Sequence, residues 1–167
     1  DYGVLSIFMV MITLYSAFIG MNINMNVSKN FYNVSKDEIA IYIGNMLIIL
    51  SMSFLFFFII SIVLTLLYER IFSVPSRWFL AIPIISLMMM VNNINTTVLR
   101  NQGRSLMYGF FQISNTLINT GITVSLLLFF HYGWYSQAIG IISAGAVFFG
   151  ISLSYMYKQG FINFSID

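Results

Sequence analysis

The sequence predicts an all-α fold: a polytopic membrane helix bundle of about five transmembrane helices, forming a single domain over residues 1–167. Three observations carry that expectation. Hydrophobic residues make up 59% of the chain and charged residues 7%, with a mean hydropathy of +0.91. Soluble domains carry about 25% charge, so a chain this poor in polar side chains cannot cover a water-facing globule. Apolar runs of roughly 20 residues, the length that spans a bilayer, follow one another along the chain. The few charges fall between those runs.

The first span runs from about Tyr2 to Met21. Thr13, Ser16, Gly20 and Asn24 recur at helical spacing along it. Small residues on one face let helices approach closely in lipid, so this face is read as a packing surface in preference to a substrate contact. A polar loop follows, Asn26 to Glu38, and its end Ser35-Lys36-Asp37-Glu38 fits a capping box. The serine accepts from an early helix N–H while the glutamate reaches back, which starts the second helix near Lys36. Its apolar body, Ile39 to Leu67, is longer than the bilayer requires and is expected to tilt or project. Val74-Pro75-Ser76 supplies a break and a cap, and Trp78 then sits where interfacial aromatics gather. The third span runs from there to about Leu99. Pro83 falls within its first two turns and would kink the helix if it lay beyond the first. The fourth span runs from about Ser105 to Phe130, and the fifth from about Ser136 to Tyr157, after a short aromatic loop. Ser136, Gly140 and Ala144, and separately Ala146, Gly150 and Ser154, form small-residue series read as packing grooves.

Much chemistry is excluded. Without cysteine there is no disulfide framework and no thiolate metal site. The net charge is only +2 and the basic residues stand singly in loops, so no nucleic-acid surface is expected. His131 is the single histidine, in a loop beside aromatics. Asp37 and Glu38 have a capping explanation. With no acidic residue inside a span there is no paired-carboxylate or metal site, so neither an enzyme, a bound metal nor a cofactor is expected.

One polar feature stands out. Gln112, Asn115, Thr116 and Asn119 fall at i, i+3, i+4 and i+7 and share one face of an apolar helix. Tyr108 and Thr123 extend the face at either end, and Asn92, Asn95 and Thr96 add a second polar face on the preceding span. Amides in hydrocarbon are costly unless they pair or meet water. One would be explained as interhelical glue. Four on one face exceed that need and point to a hydrophilic path, of the uncharged kind that suits sugar hydroxyls. Arg100 and Arg104 flank the stripe. They are read as topology markers or as a site for an anionic headgroup, because a guanidinium binds phosphate through two parallel hydrogen bonds. Lys29, Lys36, Arg100, Arg104 and Lys158 fall on one side of a five-span topology and Arg70 and Arg77 on the other. The positive-inside rule makes the five-residue side cytoplasmic. Asp1 is then expected outside, an arrangement that one further helix upstream would resolve.

At these residues the sequence resembles the polysaccharide-biosynthesis branch of the multidrug and oligosaccharidyl-lipid exporter superfamily, the O-antigen flippases. Asp1-Tyr2-Gly3-Val4 looks like the start of that family's second helix. Leu99-Arg100-Asn101-Gln102-Gly103-Arg104 followed by Tyr108 is similar to its connection between the fourth and fifth helices, and Gly133-Trp134 to the turn before the sixth. The resemblance implies a fragment of a larger two-half exporter-type fold. It also implies alternating access and a lipid-linked oligosaccharide as substrate in the bacterial inner membrane, with membrane lipids and polysaccharide-assembly proteins as partners. Other readings leave different marks. A membrane-embedded polysaccharide polymerase should carry a large outer loop, and a multidrug exporter of the same superfamily a carboxylate within a span. A structural subunit would use its asparagines only to bind neighbouring helices.

Overall fold

The computed structural model describes residues 2–21, 23–68, 70–71 and 74–163, the side chains at 24, 70 and 71 excepted. Asp1, the side chain of Asn24 and the last four residues, which the sequence reading touches, lie outside that set. The fold is an all-α bundle. Its elements are α1 (Tyr2–Gly20), α2 (Ile23–Asn30), α3 (Lys36–Leu67), β1 (Arg70–Ile71), β2 (Val74–Pro75), α4 (Ser76–Phe79), α5 (Ala81–Asn101), α6 (Ser105–Phe130) and α7 (Trp134–Lys158). The two short strands pair antiparallel, Arg70 with Pro75 and Ile71 with Val74, and form the turn after α3. Among the described residues, five helical stretches are long and apolar enough to cross a membrane: α1, α3, α4 with α5, α6 and α7. They are of the kind a multi-pass membrane protein requires.

Several boundaries follow from local chemistry. Ser35 caps α3: its hydroxyl accepts from the Glu38 N–H, and the Glu38 carboxylate accepts from the Ser35 N–H at 2.8 Å. At 32 residues α3 extends about 48 Å, well beyond a hydrocarbon core of about 30 Å. The third span breaks at Leu80, between α4 and α5. Pro83 explains the break, since it has no N–H to donate to the carbonyl of Phe79. The chain restarts at Ala81, which places Pro83 in the first turn, where no donor is missed.

Between α1 and α3 the expected polar loop, Asn26 to Glu38, begins as helix: Asn26 to Asn30 complete α2, and residues 31–35 form the turn before α3. α2 occupies Ile23–Asn30 because Ile23 and Val27, one turn apart, are both buried in the core. Met21, with φ of 39°, turns the chain out of α1.

α5 is the central post, and α1, α3, α6 and α7 surround it. It buries most of its length, including Asn92, Asn95, Thr96 and Thr97. α6 is the opposite extreme, with only Phe111 buried. At one end of the bundle Phe8, Trp78, Trp134 and Tyr135 form an aromatic knot, with ring centroids 4.2 to 6.4 Å apart. Gly133 makes that turn with φ of 58° and ψ of −131°, a conformation other residues avoid. At the other end Tyr32 donates to the Asn101 carbonyl at 2.8 Å and Phe31 stacks on Phe161. Phe161 is buried, and the Asn163 N–H donates to the Ala40 carbonyl, fastening the segment after α7 to the start of α3.

Candidate functional site

The polar face of α6 does not lie against a single neighbour. It forms one wall of a recess of about 310 Å³ between α1, α5, α6 and α7. Gln112, Asn115 and Asn119 enter it from α6, Asn92 and Asn93 from α5, Gln137 from α7 and Thr13 from α1. Burial deepens across the recess: Gln112 is exposed, Asn115 and Asn119 are half-buried, and Asn92 is buried. Among the described residues, none that lines it carries a charge. The site offers neutral donors and acceptors, which suits hydroxyl-rich ligands, and no nucleophile or acid–base pair.

Its shape depends on how close α6 and α7 come. Gly140 lacks the Cβ that would meet Thr123 Oγ1 and the Asn119 backbone carbonyl. Ser136, Gly140 and Ala144 are all buried, so this series is a packing groove as expected. The other series is not: Ala146, Gly150 and Ser154 face outward. Thr123 donates to Asn119 Oδ1 at 3.4 Å, orienting that amide. Asn92 Oδ1 accepts from the buried Ser152 hydroxyl at 2.8 Å, tying α5 to α7 behind the recess.

The other stripe residues go elsewhere. Thr116 is exposed, and its hydroxyl turns back to donate to the Gln112 carbonyl at 3.0 Å. Tyr108 is half-buried and does not line the recess. Asn95 is 1% exposed and neither of its amide atoms has a hydrogen-bond partner. It sits in the wall of a separate apolar slot of about 580 Å³ between α5, α6 and α7. Asn92 and Asn95, three residues apart on α5, thus serve different cavities.

Thr13 corrects the reading of α1. The expected packing face divides: Ser16 and Gly20 are buried, with Gly20 against Met90, whereas Thr13 is exposed and lines the recess. Sequence reasoning passed over Asn93 and Gln137. Gln137 is the only amide within α7 and stands one turn before Gly140 and Ile141, so the small-residue groove already marked its face.

The two arginines do not act together. Arg100 is exposed in the last turn of α5. Gly103, with φ of 71°, reverses the chain, and Arg104 then points to α7, where its guanidinium donates to the Tyr155 hydroxyl at 2.7 Å. Arg104 shares a notch of about 320 Å³ with Lys36, Gln102 and Gln159. Comparison with protein-family models, with curated proteins and with solved structures finds no match to this chain.

Proposed function

We propose that this chain forms part of the path of a transporter in the bacterial inner membrane. It would turn an undecaprenyl-pyrophosphate-linked oligosaccharide, an O-antigen or other surface polysaccharide unit, from one leaflet to the other by alternating access. The observation that carries the reading is the uncharged recess, where amides from α5, α6 and α7 converge inside an otherwise apolar bundle. Sugars present many hydroxyls, and neutral amides meet them without the desolvation cost of charge. The resemblance to the polysaccharide flippases supports the same assignment. In this reading Gln112, Asn115, Asn119, Asn92 and Gln137 contact sugar, while Arg100 draws the pyrophosphate toward the end of the bundle where it stands; Arg104, turned to α7, takes no part. The process is translocation and breaks no bond.

The test is the double variant Asn115→Leu with Asn119→Leu in the complete protein. Surface polysaccharide should fall at least about tenfold, as expected where a site's hydrogen-bonding groups are lost, while the amount of protein in the membrane stays level. Unchanged display would reduce the recess to interhelical packing.

A further inference from the structure

We infer that a phosphate-bearing anionic lipid seats beside α6, away from the polar recess. Its headgroup occupies the notch at Lys36 and Arg104, and one of its chains lies in the apolar slot between α5, α6 and α7. The two cavities adjoin at the Tyr155 hydroxyl. Arg104 lines the notch, Tyr155 lines the slot, and the guanidinium donates to the phenol at 2.7 Å. The phenol donates onward to Gln102 Oε1 at 3.4 Å, which holds the junction in place.

The notch is built for an anion. Lys36 and Arg104 face it with the amides of Gln102 and Gln159, and among the described residues no carboxylate lines it. Phe161 forms its apolar floor, and Lys36 Nζ stands 5.4 Å from the centre of that ring. A guanidinium has five N–H donors. The bond to Tyr155 uses one, leaving a fork that can take phosphate oxygens.

The slot differs in every respect. Leu99, Leu106, Phe110, Ile118 and Phe148 are among its lining side chains. Its outer wall on α6 is open, with Leu106 89% and Phe110 75% exposed. Within a bilayer such a trough selects nothing by itself, because lipid tails are as apolar as its own side chains. Selection comes from the notch. Free phosphate would leave the slot unused, and an apolar helix would leave Lys36 and Arg104 unanswered. An amphiphile with an anionic head matches both. The inference does not rest on the sugar path, from which α6 separates it.

The experiment places a reporter in the slot. Phe110→Trp in the complete protein is reconstituted in phosphatidylcholine nanodiscs that carry brominated phosphatidylglycerol or, at the same mole fraction, brominated phosphatidylcholine. The added tryptophan signal, taken as the difference from the parent protein, should report an association about fivefold in favour of the anionic lipid, the effect of roughly one basic contact. Phe18→Trp, at the same end of the bundle but on α1, should show no such preference. Lys36→Gln with Arg104→Gln should abolish the preference at position 110, while Arg104→Lys should keep it. Equal quenching by the two lipids, a preference that survives the double variant, or loss of the preference in Arg104→Lys each overturns the proposal. So does a reporter that neither lipid reaches, which would mean that a protein segment covers the slot.

Discussion

Asn92 and Asn95 are chemically identical and three residues apart, yet their surroundings give opposite expectations. Asn92 accepts from Ser152 and its amide borders the recess, whereas Asn95 is enclosed with both amide atoms unpaired. A buried polar group without a partner costs about 1–3 kcal/mol, while an apolar residue of the same shape avoids that cost. Asn95→Leu should therefore leave thermal stability in detergent unchanged or raise it. Asn92→Leu should lower it by about 1–3 kcal/mol, because Ser152 is left without its acceptor. A destabilised Asn95→Leu would show that the amide has a partner outside the chain. At this scale the sequence was only partly legible. The spacing of Gln112, Asn115 and Asn119 placed them on one face, and they do share the recess. The same periodicity could not say that Thr116 bonds to its own helix, nor which cavity Asn95 borders. Those outcomes depend on side-chain rotamers and on neighbours distant in the chain.

Among the elements, the contact of α6 with α7 is the most sensitive. A methyl group at Gly140 would run into Thr123 and the backbone of Asn119, and backbone cannot yield cheaply. Gly140→Ala should cost about 1–3 kcal/mol, as overpacking does, read as a fall in melting temperature. Gly150→Ala is the matched control. A Cβ there meets nothing within 4 Å, and alanine is the better helix former, so stability should hold or rise slightly. A drop at both glycines of equal size would remove the packing explanation. The helix ends with chemical signals were readable in advance. The capping box at Ser35 starts α3 at the expected Lys36, and α6 begins at Ser105 where the apolar run begins. α2 was hidden for a physical reason. Its eight residues hold only two strongly apolar anchors, Ile23 and Val27, among asparagines, serine and lysine, and its burial comes from tertiary contact.

At the scale of the molecule, the bundle sorts its basic residues by end. Lys29, Lys36, Arg104 and Lys158 belong to the end where Tyr32, Phe31 and Phe161 meet, and Arg77 belongs to the end of the aromatic knot. The positive-inside rule predicts that the first end faces the cytoplasm. Single cysteines at Ser28 and Ser76 should react with a membrane-impermeant maleimide from opposite sides of sealed cells, with Ser76→Cys labelled from outside. Labelling of both from one side would refute the up–down order, and Ser28→Cys labelled from outside would invert it. Hydropathy made the number and order of long apolar helices legible, because lipid allows few solutions for a backbone whose polar groups must all be paired. It could not reveal that α5 is the post and α6 the outlier, since each sets a polar stripe in an apolar background and the two differ in what packs against them.

The fastening of Phe161 and Asn163 to the start of α3 bears on the order of events during synthesis. Gly160, with φ of 70°, reverses the chain so that Phe161 can reach Phe31 and Asn163 can reach Ala40. Chains are made from the N-terminus, so α3 has left the ribosome long before its partner exists. Its first turns stay uncovered while α4 to α7 are being threaded into the bilayer. Among the described residues, Phe161 and Asn163 thus join this end of the bundle only after α7 has been made.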